Sequence, residues 1–429
     1  MTALDVEPRV APLPAGRGRW RLTLHARAFG TYGQPAPTWQ QTILAELSDA
    51  RGRKLDRAWD GSAQLTFTLD GRSPAATLIQ ELAHDVLAWR WSDAAGRDIC
   101  VFRGPITQAE DALTADSHAV TFTAHDYLSM LERRMFTSTA PTPYNLDQDA
   151  LVAALVQLAS QQTTTGGTDL RPACYLPLIA APVDPSGNLR AGPTVNRQRT
   201  YYGDSTVLEA VDLLSKVAGG FDYDVLPAPE AGPLGAPAGT DVLRVFYPSQ
   251  GIARTDFALV YGANVDGVTR SVTSADYVNY VRELGNNGSS DPNALQLVRD
   301  AWTAEATAAA PTVGLFALGN NLADITAVAT LQQHADGDLA LWSTLMPAYT
   351  LTLTPGSYQY GQPNLGDSVQ LVIQSGRLDV NTAVRILGLN YAIGDDGNEN
   401  VELTVGKVLA TLRSAFRRVN RDISALTRR

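Results

Sequence analysis

At 429 residues the chain is too long for one ordinary hydrophobic core and predicts two to four domains. Its 45% apolar and 18% charged residues are a globular composition, and no stretch approaches the roughly 18 apolar residues of a membrane-spanning segment. The net charge of −10 is unevenly placed: residues 405–429 hold seven basic side chains against Asp422, a surplus of six that leaves −16 for residues 1–404. An acidic body does not wrap nucleic acid by releasing counterions, although a negative surface suits DNA that slides past without sticking.

Asp5, Glu7, Pro8, Pro12 and Pro14 break any apolar run at the start, so no secretory signal is expected and folding belongs in a cytosol. Cys100 and Cys174 match neither a disulfide framework nor a zinc spacing and are expected to be free thiols.

From about Trp39 to Phe136 the apolar period is two. Ala63 to Leu69 alternates and stops at Asp70-Gly71; Asp85 to Trp91, Ile99 to Gly104 and Ala119 to Ala124 follow as strands, and a short helix is expected over Asp126 to Arg134. Residues 147–160 predict a helix capped by Asp147, with Leu151, Leu155 and Leu158 at helical spacing. Residues 161–199, rich in Thr, Gly, Pro and Asn, read as a long loop or arm.

A second helix starts at Ser205-Thr206, where Thr206 and Glu209 fit a capping box, and ends at Gly219-Gly220. The strands Phe221 to Leu226 and Val242 to Tyr247 flank residues 227–240, a Pro, Ala and Gly stretch expected to form an extended hairpin tip that buries no apolar surface. Further strands are expected over Phe257 to Tyr261, Val265 to Val272 and Tyr277 to Val281, then helices near Ala294 to Ala301 and Asp324 to Leu341. Strands return at Ala348 to Thr354, Ser368 to Gln374, Ala383 to Ile393 and Asn400 to Val405, before a last helix from about Lys407.

No catalytic or metal-binding pattern is complete. The five histidines, His25, His84, His118, His125 and His334, include no pair four apart. Glu81-Leu82-Ala83-His84 is a single Glu-x-x-His where a di-iron bundle needs two. Gly203-Asp204-Ser205 and Gly366-Asp367-Ser368 lack the downstream Asp-x-x-His that would supply a base, and read as a helix cap and a turn into a strand. Asp395 to Glu399 lacks the spacing of a calcium loop and lies where a hairpin turn is expected. No catalytic residue, cofactor or metal ligand is therefore assigned.

One constellation stands out. Val405, Leu409, Leu412, Phe416, Val419, Ile423 and Leu426 are spaced 4, 3, 4, 3, 4 and 3, so a helix places all seven on one seam. Arg413, Arg417, Arg418 and Arg421 flank this strip, which is an expected protein interface. It could meet its own body, two sister helices or another protein.

Several stretches resemble the baseplate-hub or tail-tip hub (minor tail) proteins of long-tailed bacteriophages, of the type infecting actinobacteria. They are Gly366 to Val380 followed by Arg385 to Leu389 and the Gly394 to Asn400 hairpin; Phe102 to Ile106 with Val120 to Leu128 and Arg133-Arg134; and Tyr277 to Gly285 with its Asn279-Tyr280-Val281. The resemblance spans residues 38–406 and rests on the style of the elements rather than on an invariant motif.

It implies a mainly β (α+β) chain with two small β-barrels, a mixed α/β middle and a C-terminal amphipathic helix. The implied domains are 1–140, 141–262 with its arm and hairpin tip, 263–405 with a helical insertion at about 294–341, and 406–429. The implied function is a non-enzymatic, homotrimeric hub ring in the virion tail tip, assembled in the host cytoplasm. Such a ring joins the tail tube and distal tail protein to tip, fibre or other minor tail proteins, neighbours the tape-measure protein, and forms part of the channel through which viral DNA passes. A tail-associated cell-wall hydrolase and a host-carbohydrate-binding tail protein are the competing readings.

Overall fold

The computed structural model describes residues 20–28, 40–92, 95–136, 142–160, 176–201, 206–215, 219–229, 233–272, 274, 277–285, 296–322, 328–343, 347–358, 361, 363–394 and 399–406. Among the described residues the fold is mainly β, with 53% in strands against 15% in helices. It divides into two compact units, residues 1–268 with 351–404, and residues 269–350 with 405–429.

The first unit opens with β1 (Trp20–Ala28), β2 (Gln40–Glu46), β3 (Arg51–Ala58), β4 (Gln64–Asp70), α1 (Pro74–Leu78), β5 (His84–Ser92), β6 (Arg97–Leu113), β7 (His118–His125) and α2 (Leu128–Leu131). Its middle holds β8 (Thr142–Asp147), α3 (Gln148–Ser160), β9 (Leu178–Val183), β10 (Asn196–Tyr201), α4 (Val207–Ser215), β11 (Asp222–Leu226) and β12 (Asp241–Phe246), followed by β13 (Ala253–Val260) and β14 (Val265–Ser271). The second unit contributes β15 (Tyr280–Gly285), β16 (Leu297–Trp302), β17 (Ala317–Leu322) and α5 (Val328–Trp342). The chain then forms β18 (Ala348–Leu353), β19 (Ser368–Ser375), β20 (Leu378–Ile393) and β21 (Glu399–Gly406).

Alternation builds the main sheet. Leu65, Phe67 and Leu69 of β4 point inward and meet the inward set of β7, with Phe67 opposite Phe122 and their rings stacked 5.4 Å apart. The 17-residue β6 serves two partners: residues 97–105 pair with β5 and 106–113 with β7, with a register shift at Ile106. Gly104 permits the bend, since a Cβ there would lie 1.8 Å from the His125 carbonyl oxygen.

The strand order is β14-β18-β21-β20-β3-β4-β7-β6-β5-β1-β2, with β13 and β19 branching from β20. Strands of the expected segment 1–140 and β14 and β18–β21 of the expected segment 263–405 thus share one sheet, sewn together by the antiparallel pairing of β20 with β3, whereas β15–β17 form a sheet of their own. That path is open. The two small barrels expected are not formed as closed barrels among the described residues, because β6 and β20 carry the chain from one strand group to the next instead of returning it to its start.

Two helices pack on the middle β-layer. Leu151, Leu155 and Val156 of α3 and Val207, Val211 and Leu214 of α4 share a core with Phe221, Tyr223, Leu243 and Val245. Asp147 caps α3 by accepting from Asp149 N at 3.1 Å, and Thr206 Oγ1 accepts from Glu209 N at 3.2 Å, half of the expected capping box.

Three expectations are corrected. The arm over 161–199 contains β9, which runs parallel to β12; its apolar run was hidden by the Pro and Thr around it. The 227–240 connection does join an antiparallel hairpin, yet Ala228 and Ala236 are buried against Val242, so it is packed inward rather than extended. The helix expected over 294–301 is replaced by β16, because pairing with β15 decides the backbone of a short alanine-bearing segment that alternates equally well. No helix among the described residues is long and apolar enough to cross a membrane.

Candidate assembly surfaces

Buried ion pairs join the parts of the first unit. Strand β6 delivers Arg103 inward, where its side chain is fully buried. Its Nη1 donates to Gly239 O at 2.7 Å and to Asp241 Oδ1 at 3.0 Å, while its Nε lies 3.7 Å from Asp85 Oδ2. Tyr127 OH donates to that Asp85 oxygen at 2.6 Å, and its ring lies 5.2 Å from the guanidinium carbon. Burial pushes the Asp241 carboxyl up to about 6 against the pull of Arg103. Nearby, burial and then Arg103 push His25 down to about 4, so the ring is neutral at pH 7 and hydrogen-bonded to Thr23 at 2.8 Å.

A second joint fastens β20 to β11. Arg385 Nη2 donates to Asp222 Oδ2 at 2.5 Å and to Gln250 O at 2.7 Å, its Nε donates to Gly366 O at 2.9 Å, and its guanidinium carbon sits 4.8 Å from the Trp59 ring centre. Arg244 grips Asp224 with two bonds of 2.7 and 2.6 Å. The turn below is tight: Gly251 at φ +85° and Gly366 at φ +84° pass so closely that a Cβ on either would strike the other's backbone or that of its neighbour. Each joint buries a charge that groups from several distant strands satisfy together, which favours one arrangement of the strand groups over a sliding one.

The residues weighed for chemistry have structural employment. Asp367 accepts from Ile252 N and Asn364 N at 2.9 Å each, so Gly366-Asp367-Ser368 is a turn; Gly203-Asp204-Ser205 lies outside the described residues. Glu399 forms an ion pair with Arg90, and residues 395–398 lie outside the described residues. His84 Nδ1 accepts from Gln80 N at 3.1 Å, His118 meets Asp111 at 2.8 Å, His125 meets Thr107 at 2.9 Å, and His334 lies on α5. Asp126 precedes Tyr127, the N-cap residue of α2, accepts from Leu128 N at 3.1 Å and also ties in Ser62 Oγ at 2.6 Å and Ala63 N at 2.9 Å. The Cys100 thiol is in no disulfide and donates to Phe102 O at 3.3 Å, and no metal-holding group of His, Cys, Asp and Glu occurs among the described residues.

A hollow of ≈ 410 Å³ lies over the β3–β20 join. Asp56, Gln64, Asn390 and Glu402 line it, with Gly388 packed against Thr404. It has carboxylates and amides but no aromatic platform.

Of the expected seam, Val405 is fully buried near the end of β21, so it belongs to a strand and not to the start of a helix. Leu409, Leu412, Phe416, Val419, Ile423 and Leu426, with Arg413, Arg417, Arg418 and Arg421, lie outside the described residues. Sequence reasoning missed the exposed apolar groups of the second unit, Trp302 at 44% and Leu315 at 63% exposure among them. Alternation along 297–302 was the available signal, concealed by the helical reading of that segment.

No protein-family model matches the sequence, and no curated protein matches it. Solved structures do. The chain is similar to the tail protein from Neisseria meningitidis MC58 at 12% identity and a TM-score of 0.52, over 91% of this chain and 97% of that one. It is also similar to the 43 kDa tail protein of prophage MuSo2 from Shewanella oneidensis at 11% identity and a TM-score of 0.53, over 90% and 98% of the two chains. The fold is therefore one that phage tail proteins use, and these relatives give the actinobacteriophage type no support.

Proposed function

We propose that the protein is a structural, non-enzymatic subunit of a bacteriophage tail tip or baseplate. The observation that carries this reading is the likeness of fold to two tail proteins along nearly the whole of all three chains. Coverage of that extent leaves little of the described chain for a separate catalytic domain, and the titratable groups weighed as catalytic are occupied in turns, caps and ion pairs. The competing hydrolase and carbohydrate-binding readings draw no comparable support.

In this reading three copies form a hub ring in the virion, assembled in the host cytoplasm, between the tail tube with its distal tail protein and the tip or fibre proteins. The strand-rich ends occupy the places of tube-like domains, and the −16 of residues 1–404 suits a channel that passes DNA without holding it. Rigid joints such as Arg103–Asp241 fit a part that must keep its shape under load.

Light scattering and electron microscopy of the purified protein test this reading. A homotrimer with a central opening is expected. A monomer at every concentration, together with release of wall fragments from purified cell walls, would overturn it.

A further inference from the structure

The sheet of the second unit runs β16-β15-β17 and has two unequal faces. On one face Val281, Ala301 and Leu318 pack with Ala335, Leu339 and Trp342 of α5. Glu283 is also buried on this side, where Asn320 Nδ2 donates to its Oε1 at 2.7 Å and to Asp338 Oδ2 of α5 at 2.9 Å. The opposite face follows from the register. Tyr280 pairs with Trp302 and Ala317, Arg282 with Asp300 and Gly319, and Leu284 with Val298 and Asn321.

Among the described residues this second face is exposed along β16 and β17, while Tyr280 of β15 is 9% exposed. Trp302 stacks on Tyr280 with ring centres 3.9 Å apart and is still 44% exposed, and Val298 is exposed. Nothing lies within 4 Å of where a Gly319 Cβ would project, and Ala317 adds only a methyl group. A two-layer arrangement thus leaves indole and aliphatic surface in water on a sheet whose backbone could accept a second layer.

We propose that this face is covered by the chain's own residues 407–429, folded as an amphipathic helix, which turns the unit into a helix–sheet–helix sandwich. Three features select that occupant. The seam from Leu409 to Leu426 would run about 26 Å as a helix, enough to cross strands about 20 Å long. The charges are complementary: residues 269–350 hold three arginines against eight acidic residues, and residues 407–429 hold seven basic residues against one acidic. A tethered segment is also present at a high effective concentration, which favours it over a free partner. The small side chains of β17 give a bulky seam residue such as Phe416 room to approach.

The full-length protein tests this without reference to any tail, so failure here leaves the proposed function standing. In a Cys100→Ser, Cys174→Ser background, Gly319→Cys is combined in turn with Leu412→Cys, Phe416→Cys and Val419→Cys and oxidised. At least one pair is expected to give a disulfide within a single chain, seen as monomer on a non-reducing gel and as a linked peptide by mass spectrometry. Truncation after Gly406 is expected to speed hydrogen exchange across 297–302 and 317–322 at least fivefold, and Gly319→Arg, which has space for its side chain, to do the same in the full chain. Links found only between copies would overturn the proposal. So would the absence of any link together with unchanged exchange on truncation.

Discussion

Arg90 and Glu399, 309 residues apart, form a two-pronged ion pair: Arg90 Nε and Nη2 donate to the two carboxylate oxygens at 3.1 and 2.8 Å. Strands β5 and β21 are thereby tied across the shared sheet. Both side chains are mostly buried, so solvent screens the pair only weakly. Arg90→Ala leaves the carboxylate without its fork and is expected to cost about 2–3 kcal/mol. The urea midpoint measures this, and a loss below about 0.5 kcal/mol would show that the pair contributes no more than a surface one.

Arg103→Met removes the one buried cation set between Asp85 and Asp241 while keeping its length. A loss of about 3–5 kcal/mol is expected, since two carboxylates are left in a dry interior. Adding Asp241→Asn should recover part of that loss. If the double variant is no more stable than the single one, the damage comes from packing and not from charge.

Asp126 supplies a pH dependence. Burial raises its carboxyl to about 7 from an ordinary 3.8, against the hydrogen bonds from Ser62, Ala63 and Leu128. The folded state therefore holds a proton that the unfolded state has released between about pH 4 and pH 7. Its contribution is fully present below about pH 4 and is lost as the pH rises through 7. Asp126→Asn, neutral at every pH, should flatten the slope and gain on the wild type as the pH rises across this window, read as the difference in urea midpoint between the two proteins at pH 4, 5.5 and 7. Parallel pH curves would contradict the assignment.

Gly104→Ala should abolish soluble expression or cost more than about 3 kcal/mol, because the new methyl would meet backbone atoms of His125 and Asp126 and no side chain can turn away. Gly96→Ala is a control at a turn with open space around it, although its φ of +63° carries a small strain. Equal solubility of the two variants would show that β6 can shift at Gly104.

Much of the local structure was legible because it is written in neighbouring residues. Leu65, Phe67 and Leu69 announce β4 by period two, and Leu151 and Leu155 behind Asp147 announce α3 by period and cap. Short apolar runs carry no such guarantee. Leu178 to Val183 and Leu297 to Trp302 took their strand geometry from the partners β12 and β15, whose hydrogen bonds no local pattern specifies.

Charge behaved in the same way. The excess of acid over base in residues 1–404 is plain in the sequence and bears on what the surface can meet. Which arginine faces which carboxylate was decided only by the fold, because Arg103 and Asp241 stand 138 positions apart, Arg385 and Asp222 163, and Arg90 and Glu399 309. By itself the sequence determined a strand-rich, acidic chain with a basic amphipathic end. The tertiary structure decided that strands β1–β7 and β18–β21 form one open sheet joined at β3 and β20, since pairing between distant strands depends on the burial of both faces at once.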